Sequence, residues 1–175
     1  TENEGFDSKT TLLEPEITYL ISDINNDIEN QISGNIDDYW ESGNEFGTRV
    51  IFSEIGDITI GEGSFEDIKN LNRDLYINNT IVGMGNNAFR NCGELPGMIF
   101  DFDSKLSYIS DYAFYNCSGI VNGVDTPESI KNIGYSAFEK CINMPTFEIG
   151  YLEEISGRAF YSCSGLRGPT ILPDS

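Results

Sequence analysis

The chain has 175 residues, 39% of them hydrophobic, with 10 Lys+Arg against 29 Asp+Glu, a formal net charge of −19 and no His. The apolar share suffices for a packed domain, and the charge excludes a nucleic-acid binder or a partner of anionic membranes. The missing His excludes Ser-His-Asp, Cys-His and His-metal chemistry. No stretch approaches the roughly 20 continuous apolar residues of a membrane span. The chain opens at Thr1 without Met or signal peptide, which reads as a processed or trimmed fragment.

Residues 1–13 carry no periodic pattern and are expected to be loose. From there, Ile17, Leu20, Ile21, Ile24, Ile28 and Ile32 recur at helical spacing. Pro15 suits a first turn, Glu14 and Glu16 suit a helix N-terminus, and Gly34 suits a stop. A second apolar group follows: Ile36, Tyr39, Trp40 and Phe46. Residues 14–47 are therefore expected to form a helical cap. A protein-binding helix anchored by Trp40 is the alternative.

Residues 48–175 repeat. The pattern Ile-(Gly/Ser)-x-x-Ala-Phe-x-x-Cys recurs around Phe65, Phe89, Phe114, Phe138 and Phe160, at spacings of 24, 25, 24 and 22 residues. An apolar-x-apolar triplet precedes each Phe: Val50-Ile51-Phe52, Leu75-Tyr76-Ile77, Phe100-Asp101-Phe102, Val124-Asp125-Thr126 and Phe147-Glu148-Ile149. A sixth, Thr170-Ile171-Leu172, follows the last Cys. Alternation with period two reads as a strand with one buried face. A second apolar pair precedes each motif: Ile81/Met84, Leu106/Ile109, Ile130/Ile133 and Leu152/Ile155. Such a unit cannot bury its apolar face alone, but a stack can.

The fold expected is an α/β repeat solenoid of about five right-handed coils. Each coil gives a short strand to a parallel sheet on one face. The Ala-Phe-x-x-Cys segment forms a helical turn or short extended piece on the other. Ala sits where coils approach, Phe fills the interior, and Cys is a compact apolar plug. The chain breaks off where a further repeat would begin, which reads either as a molecule that continues beyond this end or as a last coil covered by another subunit through self-association.

The motif resembles the BspA-like leucine-rich repeats, whose hallmark stretch leads through Leu-x-Gly to a strand ending in Pro-x-Ser. Here Cys117-Ser118-Gly119-Ile120 leads to Pro127-Glu128-Ser129, and Cys163-Ser164-Gly165-Leu166 leads to Pro173-Asp174-Ser175. The first unit departs, with Ser64 in the Ala column and Ile68 in the Cys column, and Thr126 replaces an inward aliphatic residue. The resemblance implies a cell-surface or secreted, adhesin-like module that binds extracellular proteins without catalysis. Open alternatives are a spacer segment of a longer repeat protein and a carbohydrate-active enzyme module. The adjacent acid pairs Asp37-Asp38 and Glu153-Glu154 read as surface charges rather than catalytic pairs.

Cys92, Cys117, Cys141 and Cys163 fall one per repeat, a spacing unlike any zinc or redox motif. They read as a ladder of buried free thiols. No cofactor is expected. The middle residues of the triplets, Ile51, Tyr76, Asp101, Asp125, Glu148 and Ile171, are expected to point outward and form the binding row on the concave face. Stacked like charges cost up to about 1 kcal/mol per pair. The row reads as a face for a cationic protein segment, with Ca²⁺ bridging, or a solvated face that merely keeps the open sheet soluble, as alternatives.

Overall fold

The computed structural model describes strands Ile17–Ile21 and Thr48–Phe52 by their backbone, and residues 57–69, 71–150 and 152–167 in full. Among the described residues the strands in chain order are β1 (Ile17–Ile21), β2 (Thr48–Phe52), β3 (Ile58–Ile60), β4 (Leu75–Ile77), β5 (Ile81–Met84), β6 (Met98–Phe100), β7 (Tyr108–Ile109), β8 (Val124–Asp125), β9 (Asn132–Ile133), β10 (Phe147–Glu148) and β11 (Glu154–Ile155). Every pairing is parallel. Each strand lies beside its counterpart one repeat away, because the same apolar spacing recurs there. The result is a parallel β-solenoid of about four turns.

Two strand ladders run along the solenoid. The triplet strands pair two by two, as β4–β6 and β8–β10, while β2 pairs with β1 from outside the repeats. The second apolar pairs form a continuous five-stranded sheet, β3-β5-β7-β9-β11. The single sheet expected from the triplets is thus the more broken of the two. Both ladders turn their aliphatic residues inward: Leu75, Ile77, Ile81, Met84, Ile109 and Ile133 are all buried.

Among the described residues there is no helix, and the expected helical cap is corrected accordingly. Ile17–Ile21, placed in that cap by its helical spacing, is a strand in register with β2, from Ile17↔Thr48 to Ile21↔Phe52. The run Ile-Thr-Tyr-Leu-Ile is rich in β-branched and aromatic residues, and short apolar runs do not distinguish helix from strand by period alone. The parallel edge of β2 decides the outcome. Residues 1–13, together with Ile24, Ile28, Ile32, Ile36, Tyr39, Trp40 and Phe46, lie outside the described residues, as does the C-terminal end from residue 168 onward.

The Ala-Phe-x-x-Cys segments are neither helix nor strand. Each is a tight turn with left-handed backbone two residues before and two residues after its Phe. Asn87 and Asn91 have φ of 56° and 61°, Tyr112 and Asn116 of 57° and 58°, Ser136 and Lys140 of 53° and 64°. The left-handed region costs an L-residue about 1–2 kcal/mol. Hydrogen bonds to the next coil offset that cost, at about 1 kcal/mol net each. The N–H of Phe65 donates to the Ala88 carbonyl at 2.7 Å, Phe89 to Ala113 at 2.7 Å, Phe114 to Ala137 at 2.8 Å and Phe138 to Ala159 at 2.8 Å.

Inside these turns the Phe rings stack in one column. Centroids are 4.8 Å apart for Phe65–Phe89, 5.2 Å for Phe89–Phe114, 5.2 Å for Phe114–Phe138 and 5.6 Å for Phe138–Phe160, with interplanar angles of 5°, 3°, 9° and 4°. Ala88, Ala113, Ala137 and Ala159 are buried beside them.

The four thiols are free, and they do more than fill space. Each Sγ–H donates to the Phe carbonyl of the preceding coil. The distances are 3.0 Å for Cys92 to Phe65, 3.0 Å for Cys117 to Phe89, 3.2 Å for Cys141 to Phe114 and 3.0 Å for Cys163 to Phe138. The column needs a small group that is cheap to bury yet still donates, which alanine or valine cannot supply. Burial pushes Cys92 up to about 12 and partly buried Cys163 up to about 11, and holds Cys117 and Cys141 well above the ordinary 9.0. A thiol with a raised folded value keeps its proton longer in the native state. Its stabilisation is therefore complete below about pH 9 and is lost as pH rises through the folded values. The urea midpoint is expected to fall as pH climbs past 9, and replacing all four Cys by Ala is expected to reduce that slope. At neutral pH an aromatic disulfide reagent is expected to modify Cys163 first and the other three only after unfolding.

Candidate binding face

Along the triplet ladder the middle residues point outward and their neighbours point inward. Tyr76 is 47% exposed between Leu75 and Ile77, and Ile99 is 51% exposed beyond buried Met98. Asp125 and Glu148 are exposed beside buried Val124 and Phe147. The register places Tyr76 opposite Ile99 and Asp125 opposite Glu148. The row is therefore half apolar and half acidic. Of the sequence-derived row, Tyr76, Asp125 and Glu148 take their places. Ile51 holds its position on the backbone, opposite Leu20, and Ile171 lies outside the described residues.

Asp101 does not stand in the row; Ile99 holds its position. Asp101 lies thirteen residues before Phe114, as Tyr76 does before Phe89 and Asp125 before Phe138. That offset pointed to the wrong triplet, because Met98-Ile99-Phe100 is apolar-x-apolar as well. The strand keeps its distance from the preceding Phe instead, ten residues from Phe89 to Ile99 against eleven from Phe65 to Tyr76. The two extra residues emerge afterwards as a loop. Phe102 in that loop is fully exposed at 101%. Asp101 becomes a loop anchor: its Oδ2 accepts the Asn79 N–H at 3.1 Å, and its Oδ1 accepts from the Tyr76 hydroxyl. Asp103 accepts from the Asn79 amide at 2.9 Å.

Between β6 and β8 the ladder is interrupted, since these neighbours share no backbone pairing. The chain turns early there: Val121 and Asn122 both donate their N–H to the Pro96 carbonyl, at 2.9 and 3.1 Å. Asn122 then reaches back across two coils to Asp74 at 3.0 Å. A groove of about 350 Å³ opens at this seam. Its apolar wall is Met98, Ile99 and Val124, and its charged groups are Asp74, Asp125 and Glu148, with no cation among the lining residues. Sequence reasoning missed Ile99 and Asp74. Counting forward from Phe89 instead of back from Phe114 would have found Ile99. Thr126, the odd inward residue, donates its hydroxyl to the Glu148 carbonyl at 2.8 Å and so ties β8 to β10.

Among the described residues no group of three His, Cys, Asp or Glu side chains is arranged to hold a metal ion. No described helix is long and apolar enough to cross a membrane.

Parallel coils built on a repeated Phe, Ala and Cys core define a leucine-rich-repeat solenoid. A family model described as the BspA type leucine rich repeat region matches residues 48–171 in 6 copies, and the chain belongs to that family. Among solved structures it is similar to the crystal structure of the T. pallidum leucine rich repeat protein TpLRR, at 23% identity and a TM-score of 0.62. The match covers 69% of this chain and 56% of that one, so the chain spans little more than half of its neighbour's length. No curated protein sequence matches.

Proposed function

We propose that this chain is a non-enzymatic protein-binding module of a cell-surface or secreted adhesin-type protein, and that it takes a cationic protein segment on the triplet face. Membership of the BspA-type repeats supports the module, and leucine-rich repeats generally mediate contacts between proteins. The observation that carries the site is the seam groove. Three carboxylates, Asp74, Asp125 and Glu148, stand beside exposed Ile99 with no cation among the lining residues. A Lys or Arg side chain finds its counter-charge there, and an apolar neighbour on the same segment finds Ile99 and Tyr76. Carboxylates in such a face chiefly set specificity and association rate.

The test uses immobilised chain and a soluble peptide of alternating Lys and Leu as probe. The D125N/E148Q variant is expected to bind the peptide about tenfold more weakly, mainly through slower association, with the wild-type affinity falling steeply in high salt. Equal affinity in variant and wild type, or indifference to salt, rejects the site. A chain that binds neither this peptide nor extracellular-matrix proteins is better read as a spacer.

A further inference from the structure

The turn face has the opposite chemistry, and it is separate from the acidic groove. A cleft of about 390 Å³ lies across successive Ala-Phe-x-x-Cys turns, lined chiefly by Arg90, Tyr112, Tyr115, Tyr135, Glu139 and Arg158. Tyr112 meets Tyr115 and Tyr135 edge to face, with centroids 5.8 and 5.6 Å apart. In a chain with 29 acids and 10 bases, Arg90 and Arg158 line this cleft and Lys140 lies beside it on the Tyr115 ring. Arg90 lies 5.5 Å and Lys140 4.9 Å from the centre of the Tyr115 ring, and Lys140 also donates to the Tyr115 hydroxyl at 2.5 Å. Arg90 is held by Glu66 at 3.0 Å and Arg158 by Glu139 at 2.8 Å.

These contacts say what the cleft disfavours and what it takes. A cationic guest is disfavoured at the Tyr115 ring, which already holds the chain's own Arg90 and Lys140. Glu139 is 4% exposed, and its second carboxylate oxygen already accepts from the Ser136 hydroxyl at 2.6 Å. Asp111 at the rim is engaged by the Tyr135 N–H at 2.7 Å. What remains on offer is donor-rich: Arg90 and Arg158 side chains 41% and 49% exposed, exposed Lys140 and the tyrosine rings. Arg binds carboxylates in a fork, and Tyr and Arg are the residues that dominate binding energy in protein interfaces. Holding the side chains in place beforehand lowers the entropy lost on docking.

We propose that this cleft docks an acidic peptide segment of a partner protein, its carboxylates meeting Arg90, Lys140 and Arg158 and an apolar side chain seated among Tyr112, Tyr115 and Tyr135. The chain would then carry two faces of opposite charge preference.

The test is fluorescence anisotropy with the full chain and three probes: a labelled peptide of alternating Glu and Phe, its Lys counterpart, and a sulfated oligosaccharide. The acidic peptide is expected to bind the wild type and to weaken about tenfold in Arg90→Gln and again in Lys140→Gln. It is expected to keep its affinity in D125N/E148Q, which separates this proposal from the acidic face. Lys140 is exposed, so its variant folds; circular dichroism melts check both. Binding of the oligosaccharide alone, no binding of the acidic peptide, affinity unchanged in both variants, or loss in D125N/E148Q instead would overturn the proposal.

Discussion

Phe114→Ala is expected to remove about 3–5 kcal/mol of folding free energy, the largest loss of any single substitution considered. The ring is fully buried and stacked on both faces, 5.2 Å from Phe89 and 5.2 Å from Phe138. Its removal costs the transfer of an aromatic side chain and leaves a void that turns bonded to both neighbours cannot close. Contacts in a solenoid run chiefly between adjacent repeats, so the void sits at a joint on which both halves depend. Urea unfolding followed by circular dichroism is expected to show a lower midpoint and a broader transition. Phe114→Leu fills most of the volume and is expected to lose less than half as much. Phe160 is only partly buried, so Phe160→Ala is expected to cost clearly less than Phe114→Ala. Equal costs at the two positions would show that stacking within the column does not govern stability.

Gly119→Ala is expected to cost about 1–3 kcal/mol, and Gly119→Val more, although neither change touches an apolar contact. A Cβ at this position would stand 2.5 Å from the Gly93 carbonyl oxygen and within 3 Å of the Glu94 backbone. Backbone cannot rotate out of the way, so adjacent coils must separate, which strains the ladder bonds on either side. The same holds at Gly134, where a Cβ would lie 2.5 Å from the Asp111 nitrogen. Thermal melts of Gly119→Ala, with Ser118→Ala as a neighbour whose side chain is spared these clashes, check the claim. Matching melts would refute it.

The repeat was legible because its columns answer to one physical demand each. Phe must fill the interior, Ala must let turns approach, and Cys must be small and buried. All three columns stand where the spacing put them. The extra duty of Cys was not legible, since nothing in a one-dimensional pattern shows that the preceding Phe carbonyl wants a second donor. The five-stranded ladder was half legible: Ile81/Met84 and their counterparts were visible as apolar pairs, but pairs three residues apart do not declare a strand. Ile17–Ile21 misled because its period fits a helix while its composition fits a strand. On the candidate face, Tyr76, Asp125 and Glu148 could be placed because their coils have the common length. Asp101 could not, because two overlapping triplets fit and only the neighbouring strand chooses between them. The Tyr and Arg cleft was invisible for a different reason: Arg90, Tyr115 and Glu139 share the column just after each Phe, but Tyr112, Tyr135 and Arg158 come from positions before it, and only the turns bring the two sets together.

The turn ladder has one further consequence. In every coil the amides bonded between turns point toward the following coil, and the carbonyls that receive them point back: Asn87 to Asp111, Asn91 to Tyr115, Asn116 to Glu139 and Lys140 to Tyr161. Peptide dipoles aligned in one sense add up, as they do along an α-helix. Here they sum along the stacking axis, and the polarity is reversed relative to a helix: partial positive charge gathers toward later coils and partial negative charge toward earlier ones. A β-ladder, with donors and acceptors on both edges of each strand, has no such net moment. The two strand faces of this molecule are therefore nearly apolar along the axis, while the turn face is a polarised rod. A further coil is accepted on that rod only in the same orientation, since the reverse would set amide against amide.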